Sequence, residues 1–349
     1  MADALGNRSF FLTSVEVFFL VILNFLSLTG NIMVCIAVYK NARLRRTTSL
    51  YIIALAVSDL MSAVFVMPLT LGVVITGEWV YGPVMCLFHS FFGGIVVYAS
   101  TVTMGLTAFD RYMRICKSEQ QYKKFFSPRK SRTWMACAWF FIACYSVVPK
   151  LAGLQDYEFV PGYAICAVAH LSESGKIIHY TIVLSLFFLT SLITTIFSYI
   201  KVAKMIRQHN AVMSSTIHRA ATGSSITVQE LKLSKSLFVV VFAFMICWIP
   251  FWVIVVVGRF HVVEKMPRNI ELLTSFFIYL SNTINPFIYA GMNPIFKSEF
   301  KKMFCCERRF FNRINPQHYE SNTAEAKRST HTAAPVSYTH LTLPTNREV

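Results

Sequence analysis

The sequence predicts an all-α membrane protein: a bundle of seven transmembrane helices followed by a short amphipathic helix on the inner leaflet. Three observations carry this. The 349 residues are 55% hydrophobic and only 14% charged, too apolar to keep the surface of a soluble domain of that length wet. The apolar residues, 31 phenylalanines among them, come in long runs instead of the broken period of an amphipathic core helix. The cations gather on one side of those runs, as Lys and Arg do on a cytoplasmic face.

Residues 1–16 read as a polar, extracellular leader. The apolar run behind it is too long for the core of a cleavable signal, so it is taken as the first span. Asn7-Arg8-Ser9 makes Asn7 a glycosylation candidate on that side, although such three-residue matches are common by chance. The spans are expected at 17–39, 49–76, 81–109, 133–149, 177–200, 236–258 and 272–296, each near or above the roughly 20 residues that cross a hydrocarbon core. Six contain no Asp, Glu, Lys or Arg; the second holds Asp59 at its middle, which marks a functional candidate because an ionisable group is costly there.

Lys40, Arg43, Arg45 and Arg46 follow the first span, eight cations lie from Arg111 to Arg132, and six more separate the fifth and sixth spans. The opposite loops are nearly neutral, which places the N-terminus outside, the C-terminus inside and the chain in the plasma membrane. This topology also accounts for the net charge of +16: the basic residues are divided loop by loop instead of forming one patch, so no nucleic-acid partner is expected.

Cys86 and Cys166 are the two cysteines on the oxidising side, and a disulfide between them is the economical inference. Within 293–306, Phe296, Phe300 and Phe304 repeat every four residues with Lys297, Lys301 and Lys302 on the other faces, the pattern of a helix lying on membrane lipid. Cys305 and Cys306 behind it are palmitoylation candidates, with unmodified thiols the equally weighted alternative. Residues 307–349 are Ser/Thr/Asn-rich and expected to be a disordered cytoplasmic tail. Within it, 336–345 (VSYTHLTLPT) resembles the translation of a sequencing adapter and is set aside as an artefact.

Short motifs recur in a fixed order: Gly30-Asn31, Leu55-Ala56-Val57-Ser58-Asp59, Asp110-Arg111-Tyr112, Trp139, Cys247-Trp248-Ile249-Pro250 and Asn285-Pro286-Phe287-Ile288-Tyr289. In this order the chain resembles the rhodopsin-like (class A) G-protein-coupled receptors from about residue 17 to residue 304. The resemblance implies a signalling receptor and no enzyme, with a heterotrimeric G protein and an extracellular small molecule as partners, and arrestin as a further one.

The same resemblance assigns roles. Asp110, Arg111 and Tyr112, with Glu230 just N-terminal to the sixth span, look like the family's ionic lock; a plain interfacial arginine anchor is the alternative. Asp59 with Asn31, Ser100 and Asn285 looks like the family's sodium pocket, against a protonated carboxyl satisfied by amides; the Ser281-Asn282 order reverses a pair common in the family. Phe244, Trp248 and Pro250, with Pro286 and Tyr289, look like the activation switch, since prolines interrupt helical hydrogen bonds and make hinges. Ser191 stands near a usual proline and Thr101 replaces a common isoleucine.

Aligned outward from Arg111, Gly93 occupies the place where amine receptors hold a carboxylate, so a simple amine ligand is disfavoured. Aligned outward from Pro286, Tyr279 stands where opsins hold the retinal lysine; an opsin-like sensor without that lysine is the nearest alternative. The pocket candidates are Phe92, Gly93, Val97, His179, Phe187, Phe251, Phe276 and Tyr279, an aromatic and largely uncharged set suited to a neutral, flat or lipophilic ligand. The amine-free third span and Pro161–Cys166 carry a subgroup resemblance to melatonin-like receptors. A transporter would want repeats or several intramembrane charges, and a metalloenzyme clustered His, Asp or Glu; Asp59 alone supplies neither, so no metal or cofactor beyond an allosteric sodium ion is expected.

Overall fold

The computed structural model describes residues 8–45, 47–215, 228–260, 262 and 266–314, with backbone alone at 48, 209–215, 228–235 and 305–314. The first span is α1 (Phe10–Lys40), which starts well before residue 17 because Ser9 caps it, accepting from the Leu12 amide at 3.2 Å. Residues 10–16 of the expected leader are therefore helical. The second span is α2 (Thr47–Met61), a π-helical turn over Ser62–Val66, and α3 (Met67–Thr76), closed by Gly77 at φ 84°, the left-handed C-terminal position that glycine adopts without strain.

The third span is α4 (Gly82–Cys116), and a one-turn-plus helix α5 (Glu119–Phe125) follows, started by a capping box between Ser118 and Gln121. The fourth span is α6 (Pro128–Leu151). The fifth is α7 (Glu173–Ile182), a π-helical segment Val183–Leu189 and α8 (Thr190–Ser215), so its irregular backbone lies just before Ser191, where a proline is missing. The sixth and seventh spans are α9 (Val228–Arg259) and α10 (Arg268–Met292), each with an internal proline.

α10 ends at Met292, four residues before the expected 296, because Asn293, the residue before Pro294, is pushed out of the helical region; it sits at φ −109°, ψ 110°. Its side chain caps the Ile295 amide at 3.0 Å and starts α11 (Pro294–Ile314), whose helix continues through 307–314, residues assigned above to the tail. Residues 315–349, with the adapter-like stretch, lie outside the described residues, as does Asn7.

Six of the described spans are long and apolar enough to cross a membrane by length and composition. α10 falls short because its inward face is polar: Thr274, Ser275, Ser281, Asn282, Thr283 and Asn285 are all buried. Apolar side chains point the other way around the bundle, with Phe18, Phe25, Phe140 and Phe242 all exposed, as lipid-facing residues must be.

One end of the bundle carries a hairpin of β1 (Gln155–Val160) and β2 (Ile165–His170), antiparallel with Phe159 opposite Cys166. The Cys86–Cys166 disulfide fastens it to the start of α4. At the same end the Glu16 carboxylate, nearly buried in α1, accepts from Arg8 at 2.9 Å and from Arg268 of α10 at 2.9 and 3.0 Å, while Arg8 also donates to the Val74 carbonyl at 2.7 Å. This cluster ties three spans together and is invisible to a reading that treats 1–16 as a loose leader.

Removing one partner from a shielded ion cluster leaves the others uncompensated. Glu16→Gln should lower the thermal midpoint of the purified protein, a loss on the order of 3 kcal/mol. The Glu173 side chain is 80% exposed in its pair with Lys176, so Glu173→Gln should stay within about 0.5 kcal/mol of the parent; comparable losses from both would contradict the assignment.

Candidate functional site

Three connected stations run along the bundle. At the hairpin end a cavity of about 160 Å³ opens between α4, the fifth span, α9, α10 and the hairpin. Of the sequence candidates, Gly93, Val97, His179, Phe251 and Tyr279 line it. Phe92, Phe187 and Phe276 do not. Phe92 packs tilted on Phe65 and Phe88, both centroids at 4.6 Å, and Phe276 joins the core between the first, second and seventh spans. Phe187 stacks on Tyr98 at 4.8 Å and turns toward a separate recess lined by Gly105, Phe141 and Ser191. A helix-face assignment cannot separate these, since neighbouring turns of one face reach different layers.

Sequence reasoning missed two other features of the cavity. His89 Nε2 and the Tyr279 hydroxyl are bridged by the Thr70 hydroxyl, at 3.2 and 2.7 Å, a short polar chain in an apolar wall. The expectation of an uncharged pocket holds for that wall and fails at its rim, where Arg259 at the end of α9 joins the lining. The hairpin carbonyl of Tyr163 accepts from Ser275 at 2.8 Å, and the Tyr145 hydroxyl meets His179 Nδ1 at 3.1 Å.

Below the cavity, Phe251 meets Trp248 edge to face at 5.4 Å, and Trp248, fully buried, stacks on Phe244 at 4.9 Å. Its indole N–H donates to Ser281 Oγ at 2.9 Å. The Ser281-Asn282 order thus gives the indole a hydroxyl partner and leaves the Asn282 amide, buried, without one among the described residues.

The middle station follows from Pro286. A helical proline has no N–H to give the carbonyl four residues earlier, here that of Asn282. Asn31 Nδ2 supplies that bond at 3.0 Å, with the Ser27 hydroxyl at 3.4 Å. Gly30 lets the two helices close: a Cβ there would lie 2.9 Å from the Pro286 ring. Next to it Asn285 Nδ2 donates to Asp59 Oδ2 at 3.0 Å. Of the companions expected for Asp59, only Asn285 bonds to it directly; Ser100 pairs with Ser58 at 3.0 Å, and Asn31 is committed to the freed carbonyl. Asp59 Oδ1 and Ser62 Oγ remain buried without a partner. The free oxygen of a buried carboxylate is a hard donor of the kind that a small cation takes.

At the far end Arg111 donates to Asp110 Oδ2 at 2.6 and 3.1 Å, both side chains almost fully buried. Asp110 Oδ1 accepts from the Tyr122 hydroxyl of α5 at 2.9 Å, a partner that the Ser118–Gln121 capping signal could have brought to attention as a helix. Tyr112 faces away, against Phe109 and Phe197. Glu230 lies in the first turn of α9 and Cys305 and Cys306 in α11; their side chains fall outside the description. Tyr289 stacks on Phe296 at 5.3 Å, linking the end of the seventh span to α11.

A ligand-sized cavity, an aromatic stack over a proline-bent helix, a buried acid and a restrained arginine at the opposite end define a seven-helix membrane receptor. The model of the 7 transmembrane receptor (rhodopsin family) matches residues 30–289, and the chain belongs to that family, as a class A G-protein-coupled receptor and not an enzyme. Melatonin receptor type 1C of Xenopus laevis is 27% identical over 308 residues, 86% of this chain and 70% of the relative, and type 1A of Mus musculus is 27% identical over 87% and 85%. The histamine H2 receptor of Homo sapiens is 24% identical over 82% of this chain and 78% of that one. Squid rhodopsin superposes with a TM-score of 0.74 at 21% identity, covering 93% of this chain and 92% of that one, which bears on fold alone. The melatonin-like resemblance of the sequence therefore has counterparts among its relatives.

Gly30→Ala must push the first and seventh spans apart, a strain of about 1–3 kcal/mol by the usual cost of overpacking, and should lower the thermal midpoint. Nothing lies within 4 Å of a Cβ at Gly93, so Gly93→Ala should match or slightly exceed the parent. Equal midpoints for both variants would refute the close approach.

Proposed function

We propose that this receptor sits in the plasma membrane with the hairpin end outside and converts binding of an extracellular small molecule with an apolar, aromatic body into nucleotide exchange on a heterotrimeric G protein. The stack from cavity wall to hinge, Phe251 to Trp248 to Phe244, is the observation that carries this reading. It supplies a continuous contact from the ligand cavity to the bent sixth span. The cations at the Arg111 end support its cytoplasmic orientation, and the carboxylate-free cavity lining argues against a simple amine ligand. Arrestin would engage the same cytoplasmic face. Membrane lipid contacts the amphipathic α11, with Cys305 and Cys306 as acylation candidates, and Asn7 would carry glycan outside.

Arg111, held by Asp110 and in the resting receptor by Glu230, keeps the sixth span closed. A ligand that binds the open form more tightly shifts the equilibrium by that difference and no more. The first test is G-protein activation in cells expressing residues 1–334, with neutral indoles, lipids, acids and amines, against Arg111→Ala. A response that disappears in this variant is expected; a response that persists at equal surface expression would contradict the coupling role. Glu230→Ala should raise ligand-free exchange several-fold, and unchanged basal exchange at matched expression would exclude the lock.

An allosteric sodium ion would be held by Asp59 with Asn31, Ser100 and Asn285 as its companions, where it would offset the buried carboxylate and favour the packing of the resting bundle. Replacing choline by sodium at constant ionic strength should raise the thermal midpoint of the parent and leave Asp59→Asn unmoved. An identical response of the two would reject the ion site.

A further inference from the structure

Five cationic side chains are described at the hairpin end: Arg8, Lys150, Lys176, Arg259 and Arg268. Four of them hold a carboxylate. Arg8 and Arg268 share Glu16 at 2.9 Å each, Lys150 meets Asp156 at 2.5 Å and Lys176 meets Glu173 at 2.7 Å. Among the described residues Arg259 has no such ion pair; its guanidinium lies over the Tyr163 ring, 5.8 Å from the centroid. Arg259 is also the one formally charged residue among those lining the cavity, which includes no Asp or Glu.

Among the described residues Glu271 is the nearby acid; it acts on Arg259 through space, without an ion pair, and its carboxyl packs against Gly162. His170 adds no second cation near neutral pH, because burial first, and then the Arg259 and Lys176 charges, hold it below the usual imidazole range. A half-buried guanidinium with a planar set of donors, at the rim of an apolar cavity closed by a hairpin, is matched by a planar anion on a small apolar body. Its position in the last turn of α9 already uses the favourable end of the helix dipole, so the arginine is stable there without an anion of its own.

We infer that Arg259 receives the carboxylate of a small lipophilic acid whose apolar body fills the cavity, so the receptor discriminates for an acid over its neutral amide and against the corresponding amine. This inference rests on the cavity being the ligand site of the proposed receptor. It refines the ligand class: the apolar wall selects the body, and one rim cation selects the charge.

The test needs no knowledge of the physiological ligand. Thermal midpoints of the purified full chain are measured at pH 7.4 against three apolar frames, naphthyl, indolyl and octyl, each as the acetic acid or equivalent carboxylate, the primary amide and the amine. The carboxylate of at least one frame should stabilise the protein with a half-maximal concentration about tenfold below that of its amide, with the amine weakest. Arg259→Gln should abolish the acid-over-amide difference, Arg259→Lys should retain part of it, and Lys150→Gln, remote from the cavity, should leave it whole. Acid and amide acting alike on the parent, no stabilisation by any frame, or a preference that survives in Arg259→Gln would overturn the inference. The parent comparison decides the matter even if an Arg259 variant folds poorly. Arg111-dependent nucleotide exchange on the same preparation reports separately on coupling, so loss of acid preference with intact exchange removes the ligand class and leaves the receptor reading standing.

Discussion

One unpaired carbonyl organises the middle of this bundle. Pro286 cannot donate to the Asn282 carbonyl, and at that depth no bulk water can replace the missing bond. The amide of Asn31 therefore crosses from the first span, and it can reach only because Gly30 lets the Pro286 ring come within van der Waals distance. Proline, asparagine and glycine on two helices far apart in sequence form a single device: one opens a hydrogen-bond gap, one fills it, and one makes the space. The register of the first and seventh spans is fixed by this, and with it the placement of Asp59, Asn285 and Ser281.

From that fixed axis the remaining polar groups divide by task. Some are closed pairs that hold helices in place, such as Ser58 with Ser100, Thr70 with Tyr279, and Trp248 with Ser281. Others are left with spare capacity: Asp59 Oδ1, Ser62 Oγ and the Asn282 side chain. A buried polar atom without a partner is costly, and of those in the bundle Asp59 Oδ1 belongs to a carboxylate, the group with most to gain from a cation. The two ends contrast in the same way. At the Arg111 end a buried arginine is bonded to a neighbouring acid, itself braced by Tyr122; at the hairpin end Arg259 faces a cavity with an aromatic ring as its described contact.

Much of the bundle is legible in the sequence because lipid imposes a simple rule: runs of apolar residues long enough to cross it, with cations on one side. The motif residues were legible too, since Gly30, Asp59, Arg111, Trp248 and Pro286 stand at places where backbone geometry or buried charge permits few substitutes. Helix boundaries were less so. α1 begins at Phe10 because Ser9 can cap it, and α10 stops at Met292 because Pro294 lies two residues on; both signals are single residues inside longer apolar patterns. The cavity was least legible. Phe92, Gly93 and Phe276 look equivalent by helix face, but only Gly93 reaches the void, because depth along a helix and the reach of each side chain decide it. Arg259 escaped notice because at a span boundary a cation reads as an interfacial anchor. That it pairs with no carboxylate among the described residues appears only when its neighbours are in place.

The hairpin is held along two edges that differ in kind. Cys166 is joined covalently to the third span, whereas the Tyr163 turn is joined to the seventh without a covalent bond, by a hydrogen bond from Ser275 and by Gly162 packed against Glu271. The two attachments therefore answer to different agents. A reductant cuts the first and leaves the second in place, whereas a change of side chain at Ser275 weakens the second and leaves the first intact.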